Sequence, residues 1–503
     1  MKTASLDLLL VNPGSRARIY QSLGATLTAV ENPVWAGLIA TFVRQKGFSV
    51  EVLDAEADQL TPEQVAERVE TLDPRLVTIV VYGHQPSAST QNMTGASAIV
   101  TAVKDLRPQT KVLMLGGHVA ALPERTLAEE RCDFVTRDEG LYGVVDLLDA
   151  LRADADPDLG AIRGLVYRNG TGVVFNSAAP LVTNLDADMP GVAWDLMPVS
   201  KYRAHNWHCF GHLEREPYAA IYTTLGCPYH CSFCCIQAPF KGGEQVLGLG
   251  ANVNSYRFWS PERVIKEIDI LVNTHGVRNL KFADEMFVLN PRHVIGICDL
   301  IIERGYDLNI WAYARVDTVK DAMLDKLKRA GVNWLAFGIE AANEGVLADV
   351  DKRYRVDEVY ETIRKVKAAG INIIGNYIFG LPEDTTETME ETLRLAQDLE
   401  CEFANFYTAM AYPGSLLHDQ AVQQGWRLPD TWSGYSQHAV DTLPLPTRHL
   451  SAGEVLRFRD RAFTTYFTDE SYLGFVQEKF GGDTVSHIKE MTSHRLERRY
   501  AAR

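Results

Sequence analysis

The sequence predicts an α/β protein with two consecutive α/β domains and a smaller, mainly helical C-terminal region. Short runs rich in Val, Ile and Leu alternate with amphipathic segments of about 10–15 residues, the pattern of parallel strands joined by helices. This alternation occurs twice along the 503 residues, and a chain of this length has room for about three domains. We therefore expect domains at 1–150 and 216–412, a linker at 151–215 and a helical region at 413–503.

The first domain has the pattern of a flavodoxin-like, doubly wound sheet. Its predicted strands are Leu6–Val11, Ser49–Asp54, Leu76–Tyr82, Lys111–Leu115 and Phe134–Thr136. Its predicted helices are Val34–Gln45, Pro62–Thr71, Thr94–Leu106 and Leu141–Leu151. Such sheets bind ligands at the carboxyl ends of their strands, where this chain has loops rich in small residues. The candidate binding residues in these loops are Gly14, His84, Ser87, Gly116, Gly117, His118, Glu139 and Gly140.

The second domain is predicted to contain six β/α units. Its predicted strands are Ala219–Leu225, Asn279–Ala283, Leu308–Ala314, Trp334–Gly338, Asn372–Phe379 and Phe403–Ala409. Its predicted helices are Pro261–Thr274, Pro291–Arg304, Ala322–Ala330, Val356–Ala369 and Thr386–Leu399. In the linker before it, Asn169-Gly170 is a turn signal that predicts a hairpin over Gly164–Asn176.

A loop of cysteines directly follows the first strand of the second domain. Cys227, Cys231 and Cys234 stand in a C-x3-C-x2-C spacing within TTLGCPYHCSFCC. Three thiolates on one tight loop suit three corners of a [4Fe–4S] cluster, because soft sulfur ligands favour iron–sulfur clusters. A fourth iron without a protein ligand would be open to a substrate or cofactor, which is what a catalyst requires. Cys235 adjoins Cys234 and is poorly placed to bind the same cluster.

A structural zinc site is the alternative for these cysteines, with Cys209, His208 or His230 as the fourth ligand. Structural zinc sites usually join two pairs of ligands, and this chain has only one such group. The cluster is therefore the favoured interpretation.

The cysteine spacing, with Phe233 before the third cysteine, resembles the signature loop of the radical S-adenosylmethionine (SAM) enzymes. The resemblance implies a partial (β/α)6 barrel and a cluster whose open iron chelates the amino and carboxylate groups of SAM. One electron from the reduced cluster then cleaves SAM to a 5′-deoxyadenosyl radical.

The first domain resembles the cobalamin-binding domain that precedes the barrel in one large branch of that family. The resemblance rests on LLLVNP, the run NPVWAGLIATFVRQKGFSVEVLDAE, LGGHVAALPE and the DEG before the last helix. The D-x-H-x-x-G motif that supplies a cobalt-binding histidine in methionine-synthase-like domains is absent, since the matching stretch is Asn12–Arg16. His84 and His118 remain as candidate cobalt ligands, or as loop histidines bonded to backbone or to a corrin amide.

The resemblance also assigns roles at the ends of the barrel strands. Asp284 or Glu285 would bind the SAM ammonium, and one of the two is expected to cap the next helix instead. Arg315 would form a bidentate pair with the SAM carboxylate, unless it is used in an ion pair within the barrel. The remaining candidates for SAM binding are Glu340 and Asn343 near the ribose, and Gly375 and Gly380 near the adenine.

The composition limits the partners and the location. The chain has 65 acidic and 50 basic residues and a net charge of −15, which argues against a nucleic-acid or anionic membrane surface. No apolar run reaches the roughly 18 residues of a membrane helix, and the N-terminus predicts a strand rather than a signal peptide. Eight cysteines, three of them clustered, fit a reducing cytoplasm. We expect a cytoplasmic enzyme with a small-molecule substrate and an external reductant of the flavodoxin or ferredoxin type.

The leading functional hypothesis is a cobalamin-dependent radical SAM enzyme that methylates an unactivated carbon of a small metabolite. The alternative is oxidative cyclisation or ring rearrangement with the same cofactors, and sequence alone does not separate the two. A cobalamin or metal sensor without catalytic activity is the third hypothesis, and it predicts a closed metal site. A tRNA methylthiotransferase is excluded, because residues 1–200 contain only Cys132 where a second three-cysteine cluster is needed.

Overall fold

The computed structural model describes residues 6–21, 28–154, 157–211 and 213–501. The first domain is built on the strands β1 (Leu8–Asn12), β2 (Val50–Asp54), β3 (Leu76–Val80), β4 (Val112–Leu115), β5 (Phe134–Thr136), β6 (Leu165–Asn169) and β7 (Gly172–Phe175). They form one sheet in the order β2-β1-β3-β4-β5-β6-β7, and β1 to β5 are parallel. The order of these five strands is that of a flavodoxin-like fold, as predicted.

The helices of the first domain are α1 (Arg16–Ile19), α2 (Val34–Gln45), α3 (Pro62–Leu72), α4 (Ala88–Leu106), α5 (Gly117–Ala121), α6 (Pro123–Glu129) and α7 (Leu141–Ala153). Helix α4 begins six residues before the predicted Thr94. Its first turn is polar in sequence but buried in the structure, where the Ser89 hydroxyl donates a hydrogen bond to the carbonyl of Val81. This tertiary contact overrides the low helix propensity of the segment.

The predicted hairpin forms, but it belongs to the first sheet. Strand β6 pairs antiparallel with β5, with Phe134 opposite Tyr167, and β7 pairs with β6. The first domain therefore extends to the end of this hairpin, which the prediction had assigned to the linker at 151–215. After the hairpin, the chain crosses to the second domain through α8 (Leu185–Asp188) and short 3₁₀ turns at 194–196, 199–201 and 207–209.

The second domain is an open barrel of six parallel strands. The strands are β8 (Tyr218–Ile221), β11 (Asn279–Phe282), β12 (Asn309–Ala314), β13 (Val332–Glu340), β14 (Asn372–Phe379) and β15 (Phe403–Thr408), with the short pair β9 (Thr224–Leu225) and β10 (Arg257–Phe258) beside them. They follow one another in chain order from β8 to β15, as in a partial barrel. The helices of this domain are α9 (Lys241–Val246), α10 (Pro261–His275), α11 (Pro291–Arg304), α12 (Asp321–Arg329), α13 (Glu344–Asp349), α14 (Val356–Ala368) and α15 (Thr386–Leu399).

The C-terminal region adds α16 (Leu416–Gln423), a 3₁₀ turn (Trp432–Tyr435), α17 (Ala452–Phe467), α18 (Glu470–Phe480) and α19 (Gly482–Ser493). Helix α17 packs beside β15 at the open edge of the barrel, where Arg459 donates from Nε to the carbonyl of Phe406 at 2.8 Å. The opposite, amino-terminal end of the barrel is closed by Trp207, whose ring packs against Trp311, Trp334 and Phe403. Among the described residues, no helix combines the length and the apolar character that a membrane span requires.

Polar side chains fix the first domain against the edge of the barrel. The Asn32 side chain donates to the carbonyl of Ala220 at 3.0 Å and accepts from the N–H of the same residue at 2.7 Å, so it pairs with β8 as a neighbouring strand would. The Lys281 ammonium lies 2.9 Å from the Glu31 carboxylate and 3.3 Å from Nδ1 of His84. These contacts place the carboxyl ends of both sheets at one interface.

A second, buried ion pair joins the domains through Glu139 and Arg257. Both guanidinium nitrogens Nη1 and Nη2 reach the Glu139 carboxylate, at 3.2 and 2.6 Å, and the two side chains are only 5 % and 10 % exposed. Glu139 was predicted to bind the ligand of the first domain. In the structure its carboxylate is used for domain docking, and it also accepts from the N–H of Val182.

We expect Arg257→Gln to destabilise the protein by about 3–5 kcal/mol, because it leaves the Glu139 charge buried and unpaired. The measurement is the urea midpoint of unfolding. Arg278→Gln is the matched control, since its pair with Asp307 is 75 % and 89 % exposed and should contribute less than about 0.5 kcal/mol. Equal midpoints for the two variants would contradict a docking role for Glu139 and Arg257.

Candidate functional site

A cavity of about 890 Å³ lies where the two domains meet and extends into the barrel. The first domain contributes the loop after β3, including Gln85 and Ser87. The second contributes the cysteine loop and inward-facing residues of β12 to β15, and the C-terminal region closes one side. The carboxyl ends of both parallel sheets, where ligands of such folds bind, therefore open into one space.

The cysteine loop leaves β9 through Gly226. This residue has a φ of +88°, and a Cβ atom on it would lie 2.3 Å from the carbonyl oxygen of Ser255, so only glycine fits. The loop is then held by backbone and side-chain contacts: Gln237 donates to the carbonyl of Cys227 at 2.7 Å, and the N–H of Cys234 bonds to the carbonyl of Cys231 at 3.0 Å. The three predicted ligands Cys227, Cys231 and Cys234 all line the cavity.

The donor set fits an iron–sulfur cluster better than zinc. Two of the proposed fourth zinc ligands are used elsewhere: His208 lies 3.0 Å from the carbonyl of Asn309, and Cys209 lies beside Asn279. Burial raises the pKa of Cys227 to about 12, which favours the thiol until a metal centre binds the sulfur.

The two carboxylates after β11 have different environments. Asp284 is fully buried and accepts from the N–H groups of Thr223 and Thr224 and from the Thr223 hydroxyl, each at 2.6 Å. It therefore fixes the end of β8 and does not cap a helix. The Glu285 carboxylate lines the cavity and has no hydrogen bond to any other described residue. Burial raises the pKa of Glu285 to about 8, although Lys281 opposes the shift.

Arg315 lies directly beside the cysteine loop. Its Nη1 is 3.8 Å from the sulfur of Cys231, and its guanidinium stacks at 3.8 Å over the ring of Tyr229. Asp317 holds it in place through Nε and Nη2, at 3.0 and 3.2 Å. Burial lowers the pKa of Arg315, but the bonds to Asp317 outweigh burial, and the net shift is upward. Arg315 thus lies beside the cysteine loop, as a SAM-binding role would require, and it also forms an ion pair, which was the alternative.

Glu340 also lines the cavity, at the end of β13, where it pairs with the buried Lys352. Asn343, predicted to lie near it, does not face the cavity. Its side chain instead accepts from the N–H groups of Gly345 and Val346 and caps α13, a role that asparagine commonly has at helix starts.

Gly375 and Gly380 were expected to let a ligand approach the backbone, and the structure gives both another role. Alternate residues of β14 face the cavity, namely Ile374, Asn376 and Ile378, so Gly375 points the other way, where a Cβ would clash with Tyr377. Gly380 has a φ of +81°, and a Cβ there would lie 2.4 Å from Val455 of α17.

The two histidines considered as cobalt ligands are engaged within the protein. His84 lies with Nε2 2.6 Å from the carbonyl of Asn32 and with Nδ1 3.1 Å from Glu31. His118 is buried, with Nδ1 3.1 Å from the Thr90 hydroxyl and its ring against Trp432. Burial lowers the pKa of His118 to about 3. Neither ring lines the cavity.

The small residues of the first-domain loops divide into two groups. Ser87 lines the large cavity, and Gly117 lines a smaller adjoining pocket that shares Glu285 with it. Gly116 and Gly140 are required by the backbone, whereas Gly14 is only in close packing contact, since a Cβ on it would lie 3.2 Å from the carbonyl oxygen of Ala55. Gly116 has a φ of +141°, and a Cβ there would lie 2.1 Å from the Val81 carbonyl; Gly140 has a φ of +87° at the start of α7. Gly14 packs against α4 at Gly95.

Several cavity residues were not predicted. Asn376 and Asn405 are joined by a hydrogen bond of 2.9 Å across β14 and β15, and Gln85 donates to the Tyr313 hydroxyl at 2.8 Å. All four line the cavity. The signal for Asn376 was present in the sequence, since it is a polar residue at an alternate position of an otherwise apolar strand.

Two protein families match this chain in the order that the fold suggests. Residues 20–148 match the B12 binding domain, and residues 221–396 match the Radical SAM superfamily. The chain is therefore a radical SAM enzyme, of the branch that carries a B12 binding domain before the barrel. The cofactors of this class are a [4Fe–4S] cluster, SAM and cobalamin.

Similar proteins cover nearly the whole chain. An uncharacterized methyltransferase of Pyrococcus horikoshii is 28 % identical over 463 residues, 92 % of each chain. The anaerobic magnesium-protoporphyrin IX monomethyl ester cyclase of Cereibacter sphaeroides is 28 % identical over 446 residues, 87 % of this chain and 67 % of the cyclase. The structure of the methyltransferase TsrM from Kitasatospora setae, with cobalamin and a [4Fe–4S] cluster bound, covers 93 % of this chain and 90 % of its own, with a TM-score of 0.67 and 17 % identity.

We expect Cys227→Ala, Cys231→Ala and Cys234→Ala each to abolish cluster binding, because each removes one of three protein ligands. Anaerobic reconstitution followed by iron analysis and visible absorbance measures the result. Cys235→Ala is the matched control, since Cys235 is a buried neighbour in the same loop and should retain full iron content. Loss of iron in all four variants would contradict the ligand assignment.

Proposed function

We propose that this protein is a cobalamin-dependent radical SAM methyltransferase that acts on an unactivated carbon of a small molecule. The observation that carries the proposal is the single cavity shared by the cysteine loop, Glu285 and the first-domain loop at Gln85–Ser87. A methyl donor held by the first domain and a radical source held by the barrel can both reach one substrate carbon there.

The chemistry explains why two cofactors meet at one site. A carbon that carries only C–H bonds has no lone pair with which to attack SAM, so acid–base catalysis and proximity alone do not suffice. When bound, the cluster with SAM supplies a hydrogen-abstracting radical, and cobalamin supplies the methyl group. The residues of the chain hold these groups in position and exclude water from the cavity.

We further propose that Glu285 and Arg315 bind the ammonium and carboxylate groups of SAM. Both line the cavity beside the cysteine loop. Arg315 carries the charge opposite to the SAM carboxylate, and the SAM ammonium would favour the ionised form of Glu285, whose pKa burial raises to about 8. Asp317 orients the guanidinium and leaves Nη1 directed towards Cys231. We propose Glu340, which lines the same cavity and pairs with Lys352, as the partner for the ribose hydroxyls.

Glu285→Gln should weaken SAM binding by roughly 10- to 150-fold, because it removes a charge-assisted contact of about 1.5–3 kcal/mol. Asp284→Asn is the informative comparison: it should lower the urea midpoint of unfolding, since it disrupts three hydrogen bonds at the end of β8, and leave SAM affinity nearly unchanged. Isothermal titration of the reconstituted enzymes measures the affinities. Wild-type affinity in Glu285→Gln would remove this residue from the SAM site.

The second candidate is oxidative ring formation, which the similarity to the anaerobic cyclase favours. The two reactions differ in how they consume SAM. Carbon methylation converts one SAM to S-adenosylhomocysteine as it gives up its methyl group, and a second SAM to 5′-deoxyadenosine as it supplies the radical. Cyclisation by hydrogen abstraction yields 5′-deoxyadenosine without S-adenosylhomocysteine.

We expect the two products to form in equal amounts when the holoenzyme turns over with small-molecule extracts, and label from methyl-deuterated SAM to enter a new product. Anaerobic incubation followed by mass spectrometry measures all three. The Cys227→Ala enzyme is the control for cluster-independent decay of SAM. Formation of 5′-deoxyadenosine alone would instead support cyclisation.

We propose a flavodoxin- or ferredoxin-type protein as the electron donor and the cytoplasm as the location.

A further inference from the structure

One wall of the cavity carries positive charge that the proposed cofactor roles do not use. It is formed by α17 and the segment after α19, and we call it the arginine wall: Arg459, Arg495 and, behind them, Arg498. The chain as a whole has a net charge of −15, so a concentration of arginines around a buried cavity runs against its overall balance.

Arg459 is the centre of this wall. Its side chain is only 7 % exposed and lines the cavity. Two of its groups are satisfied by the protein: Nε donates to the carbonyl of Phe406 at 2.8 Å, and Nη1 donates to Asp460 at 2.9 Å. No bond from Nη2 to another described residue accompanies them. A buried guanidinium without a full set of partners is costly unless a ligand supplies one.

Asp460 does not neutralise this charge fully, because it is shared. Arg498 donates to both of its oxygens, from Nε at 3.0 Å and from Nη2 at 2.9 Å. Arg459 donates only to Oδ1 of Asp460, which also accepts from Nη2 of Arg498. One carboxylate therefore serves two guanidinium groups, and the local charge stays positive.

Arg495 and the neighbouring His438 complete this side of the cavity. Arg495 lines the cavity and forms no ion pair with the described residues. The ring of His438, stacked on Tyr20 at 5.1 Å, also lines it, and its Nδ1 has no hydrogen-bond partner within the described residues. Burial and the neighbouring arginines lower the pKa of His438 to about 3, so the ring is neutral and able to donate one N–H.

Aromatic side chains also line the cavity. They include Trp207, Trp311, Phe403 and Tyr407, and Phe463 lies beside Arg459 on α17. Flat apolar surfaces of this kind bury large apolar or aromatic groups. The cavity thus combines apolar surfaces with the buried guanidinium of Arg459, whose charge is only partly neutralised.

We propose that the substrate is an anion: a large apolar or aromatic body with a carboxylate, phosphate or sulfonate group that binds to Arg459. This proposal rests on the proposed function, and it adds the class of substrate. Arg495, at the exposed end of the wall, attracts the same group during entry. Arg459 is a specificity-determining residue in this scheme and takes no part in cofactor binding.

The test uses anilinonaphthalene sulfonate, an aromatic anion, and anilinonaphthalene, the same rings without the sulfonate. Equilibrium dialysis against the cluster- and cobalamin-loaded enzyme measures both affinities without optical interference from the cofactors. The wild type should bind the sulfonate more tightly. Arg459→Met should weaken sulfonate binding by about 10-fold or more and change binding of the neutral dye less than about threefold.

Arg461→Met is the matched control, because Arg461 lies on the same helix but is 51 % exposed and pairs with Glu390 away from the cavity. It should leave both affinities unchanged. If Arg459→Met does not fold, Arg459→Gln decides, because it removes the charge but keeps a donor for the carbonyl of Phe406. An unchanged preference for the sulfonate in that variant overturns the proposal. Equal binding of the two dyes by the wild type, or equal losses in Arg459→Met and Arg461→Met, also overturns it. Dye binding needs no turnover, so this result stands apart from the methylation assay.

Discussion

The attachment of the first domain to the barrel depends on the Asn32 side chain, which pairs with the edge strand β8 as a neighbouring strand would. Asn32 offers the edge strand β8 one donor and one acceptor, and both are used by Ala220. Because the barrel is open, β8 has backbone groups that lack a strand partner on that side, and buried backbone groups without hydrogen bonds are costly. The fully buried Asn32 satisfies them and in the same contact attaches the first domain to the barrel. The shared cavity, with cofactor loops on both sides, follows from this alignment.

The charges at the interface restrict the alignment further. Glu31 lies against Lys281 and His84, and these two neighbours hold the pKa of the partly buried Glu31 carboxyl well below its usual range although burial acts in the opposite direction. Any sliding of the first domain along β8 would separate these charges inside the protein, where an unpaired ion is strongly unfavourable. The loop that follows His84 therefore has a fixed position in the cavity, although the histidine itself does not line it.

The sequence was most informative where hydrophobic periodicity decides. Helices such as Val34–Gln45 and Pro291–Arg304 have the predicted ends, because their apolar spacing is clear, and Asn290 and Gly305 also cap the second of them. It was least informative for Asn343, Gly375 and Gly380, since a cap, a packing contact and a ligand contact all favour the same residue types. The cysteines are distinguished by their spacing, and nothing comparable marks Arg459. Its role emerges only when α17 is packed against β15 and Asp460 is seen to be shared.

Part of the C-terminal region packs against the first domain, although the two are far apart along the chain. The ring of Trp432 lies against His118 and under the guanidinium of Arg125, at 4.4 Å from each, and Gln21 bonds to the backbone of His438 and Glu497. These partners are separated by about 300 to 480 residues of chain. During synthesis the first domain leaves the ribosome long before the residues that cover it exist. Its final packing, and with it the finished cavity, therefore depends on residues that are synthesised last.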